Sequence, residues 1–342
     1  MQTLNFPTES ERVKLLRRSP FRQTFTLPIA CCLLLTAMPS CQKEKITITF
    51  TELSSATTDD LHNIFFLDDS TGYVCGGLRY EKGDVLKTTD GGFTWHDQST
   101  SDMDKALYKI TFPSRDTGYA CGYEGGKVFR TFDGGNHWDK LQSNINQPLR
   151  DLCMLNSQKG FCCGGDGFKG GCILNTSDAG NSWQFDTSNL EYRSIFFFND
   201  LVGVIAGYGA IQRTTDGGET WTYTNAEQDF FVSMNFVNDE VGYAVGYTGS
   251  IMKTTDGGQS WDRLRNSNSL FQPSLFFNTV IFRDVNVGYI AGEHGCLLKT
   301  EDGGDHWKKA ENVPDVDWKG IALMQNGGII CGAGGKIFRF LE

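Results

Sequence analysis

One eight-residue motif occurs six times in this chain and constrains its fold more than any other feature. Each copy reads Thr-x-Asp, then Gly or Ala, then Gly-x, then Thr, Ser or His, and ends in Trp. An aspartate can accept hydrogen bonds from nearby backbone N–H groups, the glycine allows positive φ, and the tryptophan offers a large ring to bury. Each copy is therefore predicted to be a tight turn between two strands, with a structural aspartate at Asp90, Asp133, Asp178, Asp216, Asp256 and Asp302.

The spacing of the motif predicts an all-β propeller. Its tryptophans recur about every 42 residues, which is the length of a propeller blade. Between successive copies the sequence offers an inner strand, a second strand bounded by glycines and a third strand, as at 109–112, 119–122 and 127–130; a fourth follows the turn at 137–141. Four short antiparallel strands make one blade.

The two ends of the chain decide the number of blades. After Trp307 three more strands are predicted, at 318–323, 329–332 and 336–340, without a further turn motif. Residues 46–53 alternate apolar and polar side chains, as an edge strand does. We predict that this N-terminal segment supplies the missing fourth strand and closes a seven-bladed ring spanning 46–342.

Residues 1–40 are predicted to be a signal peptide. Arg17, Arg18 and Arg22 precede an apolar run at 25–38 that is too short to span a bilayer. The small residues before Cys41 resemble the lipobox of bacterial lipoproteins, which makes Cys41 a lipidation candidate and 41–45 a short tether. The alternatives are ordinary signal-peptidase cleavage and a retained N-terminal anchor. The chain is thus expected to be exported, either lipid-anchored to the cell envelope or secreted.

Charge argues against nucleic acid as a partner. The formal net charge is −10, and removal of residues 1–40 makes it −13, so the domain is a poor ligand for polyanions. Basic residues nevertheless recur near the end of the third strand, at Lys87, Arg130, Arg213, Lys253, Lys299 and Arg339. A ring of this kind could bind anions, but we interpret it as structural, with each cation paired to a nearby carboxylate or carbonyl.

The cysteines indicate core packing. Cys75, Cys121, Cys163 and Cys331 occupy a second-strand position that holds Ala or Val in other units, where cysteine acts as a small apolar residue. The chain has no Cys-x-x-Cys pair, and no metal or cofactor is predicted. Cys162 and Cys172 lie on adjacent predicted strands and are the candidate disulfide in an exported protein.

The turns between second and third strands are the predicted recognition surface. They vary while the scaffold repeats, and five of the seven contain an aromatic residue. Variable loops on a rigid scaffold are suited to binding, although these aromatics could simply pack on their neighbours. The partner-binding candidates are Arg79, Tyr80, Tyr123, Phe168, Lys169, Tyr208, Tyr247 and His294.

The motif and the Gly-Tyr-x-(Cys/Ala/Val)-Gly second strands resemble the photosystem II stability/assembly factor family and its bacterial relatives outside photosynthesis. The motif itself is the Asp box (BNR repeat), which sialidases and sortilin-type receptors share. The resemblance covers about 46–342 and implies a non-catalytic propeller that binds a newly made membrane protein during assembly. It also implies an arginine-rich partner surface, for which no single blade here carries a cluster.

Two other functions stay open. A sialidase-like glycoside hydrolase needs an arginine cluster, a nucleophile and an acid; the Phe-Arg-Ile-Pro motif of sialidases is absent, and the candidate carboxylates Glu124, Asp166 and Glu293 lie on three blades. Carbohydrate binding without turnover would use the aromatic turns as stacking platforms. We predict a non-enzymatic protein that binds a membrane or envelope protein.

Overall fold

The computed structural model describes residues 45–123, 125–167, 170–265 and 275–342, so Cys41 and the predicted signal peptide lie outside the described residues. Within them the chain forms strands and one short 3-10 turn, Ala333–Gly335. None of the described segments is a helix long and apolar enough to cross a bilayer.

The strands repeat a four-stranded antiparallel blade. The N-terminal strands and blade 1 are β1 (Lys45–Thr47), β2 (Thr49–Leu53), β3 (Leu61–Phe66), β4 (Gly72–Leu78), β5 (Lys82–Thr88) and β6 (His96–Asp97). Blades 2 and 3 are β7 (Leu107–Thr111), β8 (Gly118–Gly122), β9 (Lys127–Thr131), β10 (Asp139–Gln142), β11 (Leu149–Met154), β12 (Gly160–Gly165), β13 (Gly171–Thr176) and β14 (Gln184–Ser188). Blades 4 and 5 are β15 (Tyr192–Phe197), β16 (Gly203–Thr214), β17 (Thr222–Phe236), β18 (Gly242–Gly246), β19 (Ile251–Thr254) and β20 (Asp262–Arg265). Blades 6 and 7 are β21 (Phe277–Phe282), β22 (Gly288–Gly292), β23 (Leu297–Thr300), β24 (Lys308–Glu311), β25 (Trp318–Leu323), β26 (Gly328–Gly332) and β27 (Ile337–Leu341).

The blades form a closed seven-membered ring, as predicted. Each inner strand contacts the inner strand of the next blade, and β25 of the last blade contacts β3 of the first. Seven hydrophobic clusters lie one at each interface between adjacent blades. Blades 4 and 5 share one six-stranded sheet, because β17 continues from the outer strand of blade 4 into the inner strand of blade 5. The core is therefore divided among the blade interfaces.

The N-terminal segment closes the ring with one difference from the prediction. Strand β2 pairs antiparallel with β27 and completes blade 7, but β1 pairs parallel with β24 of blade 6. The predicted single strand is thus divided at Ile48, whose side chain is 4% exposed in the cluster between blades 6 and 7. The division follows from packing, since Ile46, Ile48 and Phe50 all contact that one cluster.

The Asp-box turn has the same hydrogen bonds in all six copies. In the first copy the Thr88 hydroxyl donates to the Asp90 carboxylate at 2.8 Å and accepts the Gly92 N–H at 2.9 Å. The Asp90 carboxylate also accepts the backbone N–H and the hydroxyl of Thr94, at 2.9 and 2.6 Å. Gly91 and Gly92 have φ of 76° and 90°, a conformation that costs glycine little. Each aspartate therefore holds its own turn in shape.

Four of the six Asp-box turns are also bound by the preceding blade, through the main-chain carbonyls of Gly134, Ala179, Gly257 and Gly303. The Gly134 carbonyl accepts the Tyr73 hydroxyl at 2.8 Å and the Lys87 ammonium at 2.6 Å. The Gly303 carbonyl accepts Tyr243 and Lys253 in the same way, both at 2.8 Å. Thus the recurring cations bridge blades, as the structural interpretation expects.

Blade 7 has no Asp box, and a carboxylate replaces the missing carbonyl. Tyr289 and Lys299 of blade 6 both donate to Glu342, the latter at 2.8 Å, and Arg283 also donates to it. Although burial alone would raise it, these hydrogen bonds lower the pKa of Glu342 to about 2.

The cysteines of the described residues are all free. Cys162 lies opposite Leu174, whereas Cys172 lies opposite Gly164, so the two candidate disulfide partners are offset by two residues and are not bonded. Cys75, Cys121, Cys163 and Cys331 are fully buried, as predicted. Burial raises the pKa of the Cys331 thiol to about 12, which keeps it protonated and unreactive.

We expect Thr88→Val to lower the free energy of unfolding by about 1–3 kcal/mol, because valine keeps the shape but leaves the buried Gly92 N–H without an acceptor. Urea denaturation measures the change. The matched control is Thr222→Val at an exposed strand position, which should change stability by less than about 0.5 kcal/mol. Equal effects at the two positions would contradict the role given to Thr88.

The Asp boxes predict acid-dependent stability. The hydroxyl and then the backbone N–H of Thr94 lower the pKa of Asp90 to about 2, and Thr220 does the same for Asp216. Because an unfolded aspartate titrates near pH 4, this stabilisation is present above about pH 4 and lost as the pH falls towards about 2. The urea midpoint should fall over that interval, and by less in Asp216→Asn. An identical pH dependence in the variant would show that Asp216 does not contribute.

We expect Ile48→Ala to destabilise the protein by about 2–5 kcal/mol, because it leaves a cavity where the N-terminal segment crosses from blade 6 to blade 7. Thermal and urea unfolding measure the loss. Ile46→Ala, at a partly buried position on the same segment, should cost clearly less. A neutral Ile48→Ala would mean that the segment does not hold the ring closed.

Candidate binding surface at the channel mouth

Every inner strand carries a bulge at its second residue. In β3 the pairing with β4 shifts between Leu61 and Asn63, which leaves His62 out of the ladder. A bulge reorients the side chain of the extra residue. The corresponding residues of the seven strands are His62, Tyr108, Arg150, Arg193, Val232, Asn278 and Lys319. All seven line one central cavity of about 330 Å³.

The predicted turns lie at the same end of the ring as these bulges. Each second strand runs antiparallel to its inner strand, so the turn that follows it lies beside the start of the inner strand. The Tyr123 N–H, for example, donates to the carbonyl of Ala106, directly before β7. The bulge residues and the turns therefore form one surface, which we call the channel mouth.

The lining of the central cavity carries more positive than negative charge. The cavity is lined by four cations, Lys109, Arg150, Arg193 and Lys319, and by one carboxylate, Asp151. Lys109 pairs with Asp151 at 2.9 Å, and Lys319 pairs with Asp60 at 2.6 Å. The two arginines have to share Glu191, at 3.7 Å from Arg150 and 2.6 Å from Arg193.

The arginine pair has unused hydrogen-bonding capacity. The Nε atoms of Arg150 and Arg193 are buried and have no hydrogen-bond partner in the described part of the chain. Burial and then Arg150 lower the pKa of Arg193 to about 10, with partial compensation by Glu191. Burial and then Lys319 lower the pKa of His62 to about 3, so His62 adds no charge near neutral pH. The Oε1 atom of Glu191, 3.7 Å from the Nε of Arg150, is also buried without a hydrogen-bond partner, so the hydrogen bonding of this charged group is incomplete on both sides.

Three of the predicted residues form a cation–aromatic cluster beside the mouth. The Arg79 guanidinium lies 4.4 Å from the Tyr123 ring centroid and 5.3 Å from that of Tyr80. The two rings pack edge to face at 5.2 Å, and the Tyr80 side chain is 60% exposed. Tyr108 contacts Tyr123 edge-on and carries Arg150 over its ring at 4.6 Å. The cluster is therefore continuous with the arginine pair.

The other predicted residues lie elsewhere on the channel mouth. Tyr208 packs on Phe230, over whose ring Arg193 lies at 4.8 Å. The Tyr247 hydroxyl donates to Glu293 at 2.8 Å, and the exposed His294 follows in the same turn. Phe168 and Lys169 lie outside the described residues, as do Glu124 and the long connection 266–274.

The sequence interpretation missed the most strongly charged part of this surface. Arg150 and Arg193 are on adjacent blades, so a search for an arginine cluster within one blade does not find them. Aligning the inner strands on their apolar first and fourth residues would place both arginines at the second position. Of the candidate catalytic carboxylates, Asp166 lies on blade 3 and Glu293 on blade 6, and the structure does not bring them together.

Comparison with known proteins gives the same fold. Residues 224–316 match the family described as photosynthesis system II assembly factor YCF48. No curated protein sequence matches the chain. The structure of YCF48 bound to D1 peptide is similar, with 22% identity and a TM-score of 0.67 over 87% of this chain and 98% of that one.

Other propellers are similar as well. YCF48 from Cyanidioschyzon merolae shares 18% identity over 85% of this chain and 98% of its own, with a TM-score of 0.67. Virginiamycin B lyase from Staphylococcus aureus shares 10% identity over 86% of this chain and 99% of its own, with a TM-score of 0.69. Likeness at these identities shows the fold alone. The chain is thus a seven-bladed propeller that resembles the photosystem II assembly factor family, in sequence over residues 224–316 and in fold over most of its length.

Proposed function

We propose that this protein is a non-enzymatic scaffold that binds a segment of a partner protein at the channel mouth. The observation that carries the proposal is the arginine pair, Arg150 and Arg193, which lines the central cavity and shares one carboxylate. The cation–aromatic cluster of Arg79, Tyr80 and Tyr123 adjoins it. Arginine and tyrosine are the residues that most often dominate the binding energy of protein interfaces.

The chemistry of the mouth specifies the kind of segment. A carboxylate can accept hydrogen bonds from both guanidinium groups, and charge-assisted bonds of this type are short and strong. Tyr80 and Tyr123 offer ring faces and edges to aromatic or apolar side chains beside that carboxylate. The partner segment is therefore an acidic peptide with neighbouring apolar residues. The overall negative charge of the protein disfavours binding of long polyanions.

The similar proteins support a peptide ligand, since one of them is YCF48 bound to D1 peptide. We extend the proposal to a membrane or envelope protein as the partner and to a role in assembling a membrane complex. Export and lipid attachment at Cys41 belong to the same proposal and rest on the predicted leader. Because β1 runs parallel to β24, Lys45 lies at the Asp-box end of the ring, opposite the channel mouth.

Catalysis and carbohydrate binding are the competing functions. The lyase among the similar structures shares only the fold, at 10% identity. Glu293, one of the candidate acids, is bound by Tyr247, on the far side of the ring from Asp166. We expect no hydrolysis of sialosides or glucans by the purified protein, and reducing-sugar and fluorogenic assays test this. Hydrolysis that is lost in Glu293→Gln would favour a glycoside hydrolase over the non-enzymatic scaffold.

We predict that a photoreactive amino acid at position 80 crosslinks an envelope or membrane protein in the native host. A synthetic peptide covering the crosslinked segment should then bind the purified protein. Loss of a central arginine or aromatic contact should weaken this binding about tenfold or more, so Arg79→Ala and Arg193→Lys should both raise the Kd. Isothermal titration calorimetry measures the change.

Arg115→Ala is the matched control, because Arg115 is an exposed arginine in the turn after an inner strand, at the opposite end of the ring. It should leave the Kd unchanged. Arg193→Lys keeps the charge beside the buried Glu191, and an unfolding curve like that of the unchanged protein would show that its fold is intact. Equal affinity in all four proteins, or a crosslinked partner that binds through the Asp-box end, would overturn the assignment of the channel mouth.

A further inference from the structure

We propose that Glu293, His294 and Asp317 form a binding site for a divalent ion of the zinc class on the outer part of the channel mouth. One ligand atom from each residue lies within 4.8 Å of the other two. Glu293 and His294 belong to the turn after β22, and Asp317 directly precedes β25 of the next blade. Binding would therefore join blades 6 and 7 at this end of the ring.

Each carboxylate is oriented through one oxygen and keeps the other for a metal. The Oε1 atom of Glu293 accepts the hydroxyl of Tyr247, on blade 5, at 2.8 Å. The Oδ1 atom of Asp317 accepts the backbone N–H of His294 at 3.0 Å. Outer hydrogen bonds of this kind fix the orientation of metal-binding side chains in proteins.

The backbone of the site is held from both sides. The Glu293 N–H donates to the carbonyl of Phe276, and the Gly295 N–H donates to that of Val316, both at 3.0 Å. These bonds attach the turn that carries Glu293 and His294 to the segments before β21 and β25. The His294 side chain is exposed, so its ring can adjust while the two carboxylates stay in place.

The two carboxylates give the site a negative charge that a bound cation would neutralise. Neither Glu293 nor Asp317 forms an ion pair with a lysine or arginine of the described residues. Other carboxylates at this end of the ring do so: Asp60 pairs with Lys319, Asp84 with Lys82 and Asp104 with Lys127. Two adjacent carboxylates without a counter-ion repel each other, and a divalent ion would neutralise both.

The side chains favour zinc over calcium or magnesium. Calcium and magnesium prefer sites made wholly of oxygen, whereas imidazole together with carboxylate suits zinc and its neighbours in the first transition series. Zinc bonds to nitrogen and oxygen are about 2.0–2.2 Å long, so the three ligand atoms have to move closer together when the ion binds, and the exposed ring of His294 can turn. Three protein ligands leave a position for water, or for a carboxylate of a partner.

The test is titration of the full chain with Zn²⁺ by calorimetry and with Co²⁺ by absorption spectroscopy, without any partner protein. One equivalent should bind, and His294→Ala and Asp317→Asn should abolish it. Tyr247→Phe removes the bond that orients Glu293 and should weaken binding about 10–100-fold. Because no partner is present, the result does not depend on the proposed function.

His306→Ala is the matched control, since His306 is an exposed histidine beside a carboxylate, Asp302, in an Asp box. It should bind both ions like the unchanged protein. Unaltered stoichiometry in His294→Ala would overturn the proposal, as would intense thiolate-to-cobalt absorption, which would assign the ion to a cysteine. Binding of Ca²⁺ in preference to Zn²⁺ would overturn the assignment of the ion.

Discussion

The propeller depends on a contact that recurs at four of its blade interfaces, in which donors of one blade bind the main-chain carbonyl of the next Asp box. The donors are a second-strand tyrosine and a third-strand lysine or arginine, as with Tyr73 and Lys87 on Gly134. No blade contains both halves of this contact, so a single blade leaves polar groups unsatisfied and an apolar face exposed. Only the full circle satisfies them, and Glu342 supplies the acceptor where the motif is absent. Two interfaces show no such bond among the described residues. Phe161 of blade 3 stacks on Phe197 of blade 4 at 3.4 Å, and Arg339 of blade 7 lies 4.8 Å from the Phe93 ring of blade 1.

Because the contacts between blades use the Asp-box end of the ring, the other end is available for recognition. The Asp boxes occupy the end where inner strands finish, and their hydrogen bonds are used internally. At the other end the bulge residues lie outside the ladder, so their identity can change from blade to blade without loss of sheet pairing. Arginine, lysine, histidine, tyrosine and apolar residues thus meet around a single axis. Binding chemistry is assembled there from side chains that no single blade possesses.

Much of the fold could be predicted from the sequence because it is held by interactions between residues that are close together in the chain. The Asp-box turn, the four-stranded unit and the closing N-terminal strand each depend on residues close together in the chain, and each was predicted. The division of that strand at Ile48 was not, since it depends on a core formed by blades 6 and 7 together. Arg150 and Arg193, and likewise Glu293 and Asp317, meet only through the closure of the ring. Arg79, Tyr80 and Tyr123 could be placed on this surface from the sequence because each lies in a turn between a second and a third strand, and their role in binding stays a prediction.

The divided N-terminal segment has a mechanical consequence. Tension applied through residues ahead of Lys45 reaches the short parallel ladder with β24 before it reaches β2. The buried Ile48 links the two ladders, so the load passes into blades 6 and 7 together and does not unzip the closing strand one residue at a time. A force on Lys45 would therefore have to break the contacts of Ile48 in the core between blades 6 and 7 before it could separate β2 from β27.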